Sequence, residues 1–281
     1  MVVAVASGKG GTGKTTVAVN LALALGRCRY LDCDVEEPNG HIFLKPEISF
    51  TEPVTKLVPQ VDESRCTRCL ECVHACAYHA LAVLPEQVLI FPELCHGCGL
   101  CAWVCPEQAI AEKPFPVGVV ETGSAGGVEF VQGRLNVGEP MAVPVVRAVK
   151  KRISRDKDTV LDVPPRTSCP VVQSVIDCDF CLLVTEPTPF GLHDLKLAVA
   201  TVRRLGIPLG VVLNRADIGD DATERYCRDE AIPLLLRIPF DRAIAKAYAR
   251  GEPLLAARPE YAGRFRTLWD SLSRQDSGGG E

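Results

Sequence analysis

Eight of the fourteen cysteines fall in two runs of one spacing: Cys66, Cys69, Cys72 and Cys76, then Cys95, Cys98, Cys101 and Cys105. Each run reads C-x2-C-x2-C-x3-C, and every cysteine of the second lies 29 residues after its counterpart. Three thiols at x2 spacing share one tight loop and converge on one point, whereas the fourth stands at a helix start and points elsewhere. Such a donor set binds soft metals. Zinc is the alternative, but its sites rarely use a triple x2 loop, so iron–sulfur chemistry is the better account. The repeat extends beyond the cysteines: CTRCLECVHACAYHALAV parallels CHGCGLCAWVCPEQAIAE, with Pro106 after the second run and Ala77 after the first.

A second constellation opens the chain. Gly8, Lys9, Gly10, Gly11, Thr12, Gly13, Lys14, Thr15 and Thr16 contain G-x-x-x-x-G-K-[ST]. Its glycines let backbone N–H groups curl around phosphate oxygens at a helix N-terminus. Lys14 adds charge for the β- and γ-phosphates of ATP, and the Thr15 hydroxyl is suited to Mg2+.

These groups need positioning. Residues 2–6 read as a buried strand before the loop, with a helix from about Thr15 and a second strand at 29–32. Further strands are expected at 159–163, 181–185, 208–213 and 234–238, and a hairpin over 117–138. Helices are expected at 141–153, 193–205 and 241–250, with Leu195, Leu197, Ala198, Val202 and Leu205 of the second facing inward. This alternation predicts an α/β domain with a doubly wound, mostly parallel sheet. Between about 58 and 116 cysteines dominate and prolines bracket the segment. That predicts a small inserted α+β domain at 58–116, with 1–57 and 117–281 forming one discontinuous ATPase domain. Residues 277–281 are expected to be disordered.

Composition narrows the function classes. A net charge of −4 argues against nucleic-acid binding, which needs a basic surface. The apolar stretch 17–25 is too short to cross a bilayer, and the start lacks the basic residues of a signal peptide. The expected compartment is the cytoplasm. Arg147, Lys150, Lys151, Arg152, Arg155 and Lys157 read as the solvated face of a helix, or alternatively as a docking patch for an acidic partner.

Lys9 makes the phosphate loop resemble the deviant loop, K-G-G-x-G-K-[ST], of the MinD/ParA/Mrp and nitrogenase iron protein superfamily. The resemblance extends to Leu31-Asp32-Cys33-Asp34 with Pro38 and Asn39, to residues 159–165, to residues 185–194, to Asn214 and to Pro239-Phe240-Asp241. It covers most of 1–52 and 155–255. It implies that Lys9 reaches across a dimer interface to a partner's nucleotide, and that Asp34 positions the attacking water. It also implies that Asp162 lies on the magnesium side, and that Asn214, Pro239 and Asp241 contact the base. The implied assembly is an ATP-dependent homodimer, or a heterodimer with a related ATPase. One departure stands out: Arg166 occupies the place where the family usually has glycine after Pro-Pro.

The cysteine runs resemble those of bacterial two-cluster ferredoxins, in which the fourth cysteine of each run ligates the other cluster. That resemblance assigns Cys66, Cys69, Cys72 and Cys105 to one [4Fe–4S] cluster, and Cys95, Cys98, Cys101 and Cys76 to the other. The chain as a whole resembles a MinD-superfamily ATPase with an inserted ferredoxin. This implies an ATP-driven dimer switch that repositions the clusters and passes electrons to a redox or metallocluster partner protein. An Mrp-like carrier of iron–sulfur clusters and a MinD-like regulatory ATPase with redox-sensing clusters are the alternatives. His74, His79 and His96 read as loop or packing residues, and Cys28, Cys33, Cys178, Cys181 and Cys227 as core. Cys169 is a candidate to meet its mate across a dimer. Phe265, Leu268, Trp269 and Leu272 form a helical stripe expected to pack on the domain rather than on a membrane.

Overall fold

Parallel strands with apolar side chains on both faces need helices on both sides, and the amino-terminal sequence supplies them. The computed structural model describes residues 1–276, with side chains through 272; the tail expected to be disordered, 277–281, lies outside the described residues. Strand β1 (Val2–Ala6) leads to α1 (Lys14–Leu25), β2 (Arg29–Asp32), α2 (Gly40–Leu44) and β3 (Glu47–Val61). The cysteine-rich part holds α3 (Glu71–Ala75), β4 (Leu81–Val83), β5 (Val88–Ile90) and α4 (Leu100–Trp103). Then come β6 (Ile110–Ala125), β7 (Val128–Leu135), α5 (Val143–Lys150), β8 (Thr159–Asp162), α6 (Cys169–Val175), β9 (Phe180–Thr185) and α7 (Pro189–Arg204). The chain continues through β10 (Leu209–Asn214), α8 (Ala222–Asp229), β11 (Leu234–Ile238), α9 (Arg242–Ala249), α10 (Leu254–Ala257) and α11 (Tyr261–Asp276).

The nine-stranded sheet has the order β11-β10-β9-β1-β8-β2-β7-β6-β3. Every pairing from β11 to β7 is parallel; β6 and β3 close one edge as antiparallel strands. Alternation splits the core. Val3, Val5, Tyr30 and Phe130 pack under α1 and α11, while Val2, Ala4, Leu31 and Leu161 pack under α5, α6 and α7. The Phe265–Leu272 stripe is buried in the first layer, as its spacing predicts. Among the described residues no helix is long and apolar enough to cross a membrane. Leu197 departs from expectation. The inward face of α7 is Leu195, Ala198, Val199 and Val202, and Leu197 turns outward at 49% exposure. It lies two residues from Leu195, about 200° around the helix.

The expected boundaries at 57/58 and 116/117 fall inside β3 and β6. These strands pair from Glu47↔Ser124 to Val61↔Ile110, with register shifts between Ile48 and Phe50 and between Val54 and Thr55. Their near halves belong to the main sheet. Their far halves project beyond β7, which pairs with β6 only from Gly118 onward. There Val58 and Phe115 join Ala80, Cys76 and Cys95 in a third, small core. The same ribbon is thus the edge of one sheet and the floor of the cysteine-rich unit. Lys56 and Glu139 pin it where the two meet, with Nζ 2.8 Å from Oε1 and both side chains under 5% exposed (3% and 4%).

Five of the six basic residues around α5 are engaged within the chain, while Lys151 is exposed. Lys150 donates to the Gln173 carbonyl, Arg147 to Gln173 Oε1, Arg155 to Asp179, Arg152 to Glu52 and Lys157 to Glu129. Val145, Val146 and Val149 bury the opposite face of that helix.

Candidate functional site

The phosphate loop ends in Gly13, whose left-handed backbone (φ 92°) turns the chain into α1. No side chain caps this helix and no acid stands in its first turn. Its first N–H groups are therefore free to face an anion, with the helix dipole behind them. Nothing would meet a Cβ at Gly10 or Gly11, so the loop is open above them, whereas a Cβ at Gly13 would lie 2.4 Å from Asn214 Nδ2. That amide donates to the Thr12 carbonyl at 2.9 Å. Thr12 Oγ1 is buried without a partner. These are features of a cradle for phosphate.

Behind the loop, carboxylates gather on a lysine. Lys14 Nζ lies 2.7 Å from Asp162 Oδ1 and 3.6 Å from Asp34 Oδ2. Burial alone would lower the Lys14 pKa, but Asp162, Asp34 and Asp32 outweigh it and hold the ammonium above its ordinary value. Burial pushes Asp34 up to about 6, against the pull of Lys14. Two residues missing from the expected site complete the arrangement. Tyr30 donates its hydroxyl to Asp162 Oδ2 at 3.0 Å. Asp32, fully buried, accepts from the backbone N–H of Asp34 (3.1 Å) and Gly40 (3.0 Å), and so anchors both ends of the segment that carries Asp34. Its carboxyl is raised well above the usual range by burial and by Asp162. The signal for Asp32 was present, as the first acid of an Asp-x-Asp at a strand end. Tyr30 has no such local signal.

A cleft of about 480 Å3 opens over this group, bordered by Gly10, Gly11, Gly13, Lys14, Thr15 and Thr16. Its far wall is Asn214, Pro239, Phe240 and Asp241. Asp34 borders it too, while Asp162 lies behind Lys14; Gly8, Lys9 and Thr12 are not part of its wall. Asp241 is already engaged: Oδ1 caps α9 through Ala243 N–H, and Oδ2 accepts from Arg258. Arg166 takes a left-handed backbone (φ 83°) and its N–H donates to the Ser7 carbonyl. An arginine therefore adopts the conformation that glycine favours. Cys169 is exposed at the start of α6.

The eight clustered cysteines surround two separate cavities. Cys66, Cys69, Cys72 and Cys105 line one, farther along the ribbon by Val61 and Ile110. Cys76, Cys95, Cys98 and Cys101 line the other, nearer the sheet by Leu57 and Pro59. Each cavity takes three sulfurs from one run and the fourth from the other run. Among the described residues no three such side chains come together to hold a single metal ion; the sulfurs ring a space instead, and a donor set of four thiolates around an apolar-walled space fits an iron–sulfur cube. Three backbone N–H groups point at sulfur: Ala80 to Cys76, Ala109 to Cys105, both at 3.3 Å, and Gly97 to Cys95 at 3.4 Å. His96 stacks on Tyr78 with ring centroids 3.5 Å apart, as a packing residue would.

Known proteins give this geometry a context. The chain is 32% identical over 91% of its length to an uncharacterised protein of Methanocaldococcus jannaschii, of which it covers 91%. It is 26% identical over 97% of its length to a protein of Aquifex aeolicus named iron–sulfur cluster carrier protein, covering 67% of it. In fold it resembles the cell division ATPase MinD of Pyrococcus furiosus, with a TM-score of 0.57, 20% identity and 98% of both chains covered. The profile of the CobQ/CobB/MinD/ParA nucleotide-binding domain matches residues 3–254. The phosphate cradle, its acidic backing and the parallel sheet that carries both belong to that match, and the chain is a member of the CobQ/CobB/MinD/ParA family of nucleotide-binding proteins.

Proposed function

We propose that this protein is an Mg2+-dependent ATPase that couples a nucleotide-driven dimer switch to electron transfer through two [4Fe–4S] clusters. One observation carries the proposal: two four-cysteine cavities sit on a ribbon whose two strands continue into the nucleotide-binding domain's sheet. In this reading Lys14 binds the β- and γ-phosphates, Thr15 the magnesium, and Asn214 with Pro239, Phe240 and Asp241 the base. A triphosphate competing for Lys14 releases Asp34 to orient the attacking water and Asp162 to face the metal. Lys9, off the wall of its own cleft, serves the nucleotide of a second subunit, either another copy or a related ATPase. Cys66, Cys69, Cys72 and Cys105 hold one cluster; Cys95, Cys98, Cys101 and Cys76 hold the other. Bound there, each cluster supplies a one-electron site. The chain's own contribution is a fixed thiolate frame, apolar walls that limit water, and N–H groups directed at sulfur; of these the N–H groups favour the more negative reduced state. The setting that fits is the cytoplasm, with a redox or metallocluster protein as partner.

Anaerobic EPR of the reduced protein, titrated with and without Mg-ATP, tests this reading. The expected result is two [4Fe–4S] signals whose potentials or transfer rates respond to nucleotide. Identical potentials and identical rates in both conditions would refute the coupling. A second reading, an ATPase that delivers clusters to apo-proteins, draws on the name of the Aquifex aeolicus relative, which spans most of this chain. Cluster loss to an apo-acceptor on addition of ATP would favour it. Stable retention favours electron transfer.

A further inference from the structure

The two halves of the cysteine-rich unit are twins in backbone. Arg68 and Leu70 hold left-handed conformations (φ 58° and 70°) that Gly97 and Gly99 repeat 29 residues later (64° and 73°). His79 and Gln108 match in the same way (51° and 47°). Their surfaces differ. At three pairs of exposed positions the first half carries Arg65, Glu71 and His74 where the second carries Leu94, Leu100 and Trp103. Trp103, the last residue of α4, is 83% exposed, and Leu100 stands one turn before it on the same helix. Folding does not demand an indole there, because the twin half reaches the same backbone with His74. An exposed tryptophan is the residue type most typical of an interface anchor, and the neighbouring leucine widens its apolar surface.

Charge says what kind of partner fits. Residues 62–109 carry six carboxylates and two arginines, all exposed, a net of −4 before any cluster adds its own negative charge. Both guanidinium groups are turned onto backbone carbonyls, Arg65 onto Glu107 and Arg68 onto Glu86. Trp103 itself lies between Cys101, which lines the near cavity, and Cys105, which lines the far one.

We propose that Trp103, with Leu100, anchors a docking surface for a basic redox protein, one that presents an apolar hollow rimmed by lysine and arginine. The proposal rests on the reading of the clusters as electron carriers. In the step it serves, one electron leaves a reduced cluster, which returns to its oxidised level, and the partner's acceptor centre gains it; no bond or proton changes hands.

The test mixes dithionite-reduced holoprotein anaerobically with cytochrome c, a basic haem protein whose ferric iron takes one electron, and follows the second-order rate by stopped flow. The variants are Trp103→His, which installs the twin half's residue, and His74→Asn as a control. Iron content and the EPR spectrum are checked in each. The wild-type rate is expected to fall roughly tenfold between about 20 mM and about 300 mM salt. At low salt Trp103→His is expected to be slower by roughly tenfold with clusters intact, while His74→Asn matches the wild type. A decrease of less than about threefold in Trp103→His, or a rate indifferent to salt, overturns the docking surface and leaves the electron-transfer reading standing. Wild-type protein without reducible clusters would instead remove that reading, and the docking surface with it.

Discussion

Asp34→Asn separates what the nucleotide site needs from what the fold prefers. Asp34 is 15% exposed, lies 3.6 Å from Lys14, and has its pKa raised by burial from 3.8 to about 6. A carboxyl whose pKa is raised in the folded state binds protons more tightly there than in the unfolded chain. Its favourable contribution is therefore present below pH 3.8 and is lost as pH rises through about 6. That difference corresponds to roughly 3 kcal/mol once Asp34 is fully ionised. About half of that is already felt at pH 5, so the stability gap between Asp34→Asn and wild type should widen by roughly 1 kcal/mol between pH 5 and pH 8. Asparagine retains the shape and removes the buried charge, while Lys14 keeps Asp162 as its partner. The assay is urea unfolding of anaerobically prepared holoprotein at both pH values without nucleotide, with ATPase activity measured in parallel. The expected outcome is a variant more stable than wild type at pH 8, closer to it at pH 5, and inactive. Parallel stability curves, or a variant less stable at pH 8, would refute the assignment of Asp34 as a strained, functional carboxylate.

Other outcomes follow from the ribbon and the loops. Lys56→Met strands Glu139 as a buried charge and should destabilise the protein by about 3–5 kcal/mol, whereas Lys56→Met with Glu139→Leu should recover most of that loss; urea unfolding of the three proteins decides it. Gly97→Ala places a Cβ 2.9 Å from the Leu57 carbonyl in a left-handed residue. It should lower the thermal midpoint, at a cost of about 1–2 kcal/mol, while Arg68→Gly at the twin position should not. Equal effects at both positions would contradict the argument. Arg166→Val should cost about 1–2 kcal/mol because a β-branched residue resists a left-handed backbone, and Arg166→Gly should leave the midpoint within about 0.5 kcal/mol of wild type.

The parts legible in the sequence were those set by near neighbours along the chain. The phosphate loop is nine consecutive residues, and the cysteine runs fix their own loops. Asn214, singled out by the family resemblance, borders the cleft from the end of β10. Tyr30 was not legible, since its hydroxyl meets a carboxylate 132 residues away, and nothing in a buried aromatic announces such a partner. The boundaries expected for the cysteine-rich segment lie inside strands, close to where β7 stops pairing at Gly118, for a physical reason. Pro53, Pro59, Pro114 and Pro116 and the change in composition read as punctuation, yet an edge strand accepts proline where its N–H faces outward. A long edge ribbon could carry both strands through the change of composition, with a register shift between Val54 and Thr55. Asp32 was visible as a second acid but had no assigned task until its two backbone hydrogen bonds were seen.

The pairing of Lys56 with Glu139 has a mechanical consequence. A segment carried on loose linkers explores space and finds its target by diffusion. A segment carried on two paired strands and a buried ion pair would behave more like a cantilever, bending chiefly at the register shift between Val54 and Thr55. Small rotations of one subunit against another would then be magnified along the ribbon into larger displacements at the cysteine cavities. The far cavity, beside Val61, would travel farther than the near one beside Leu57.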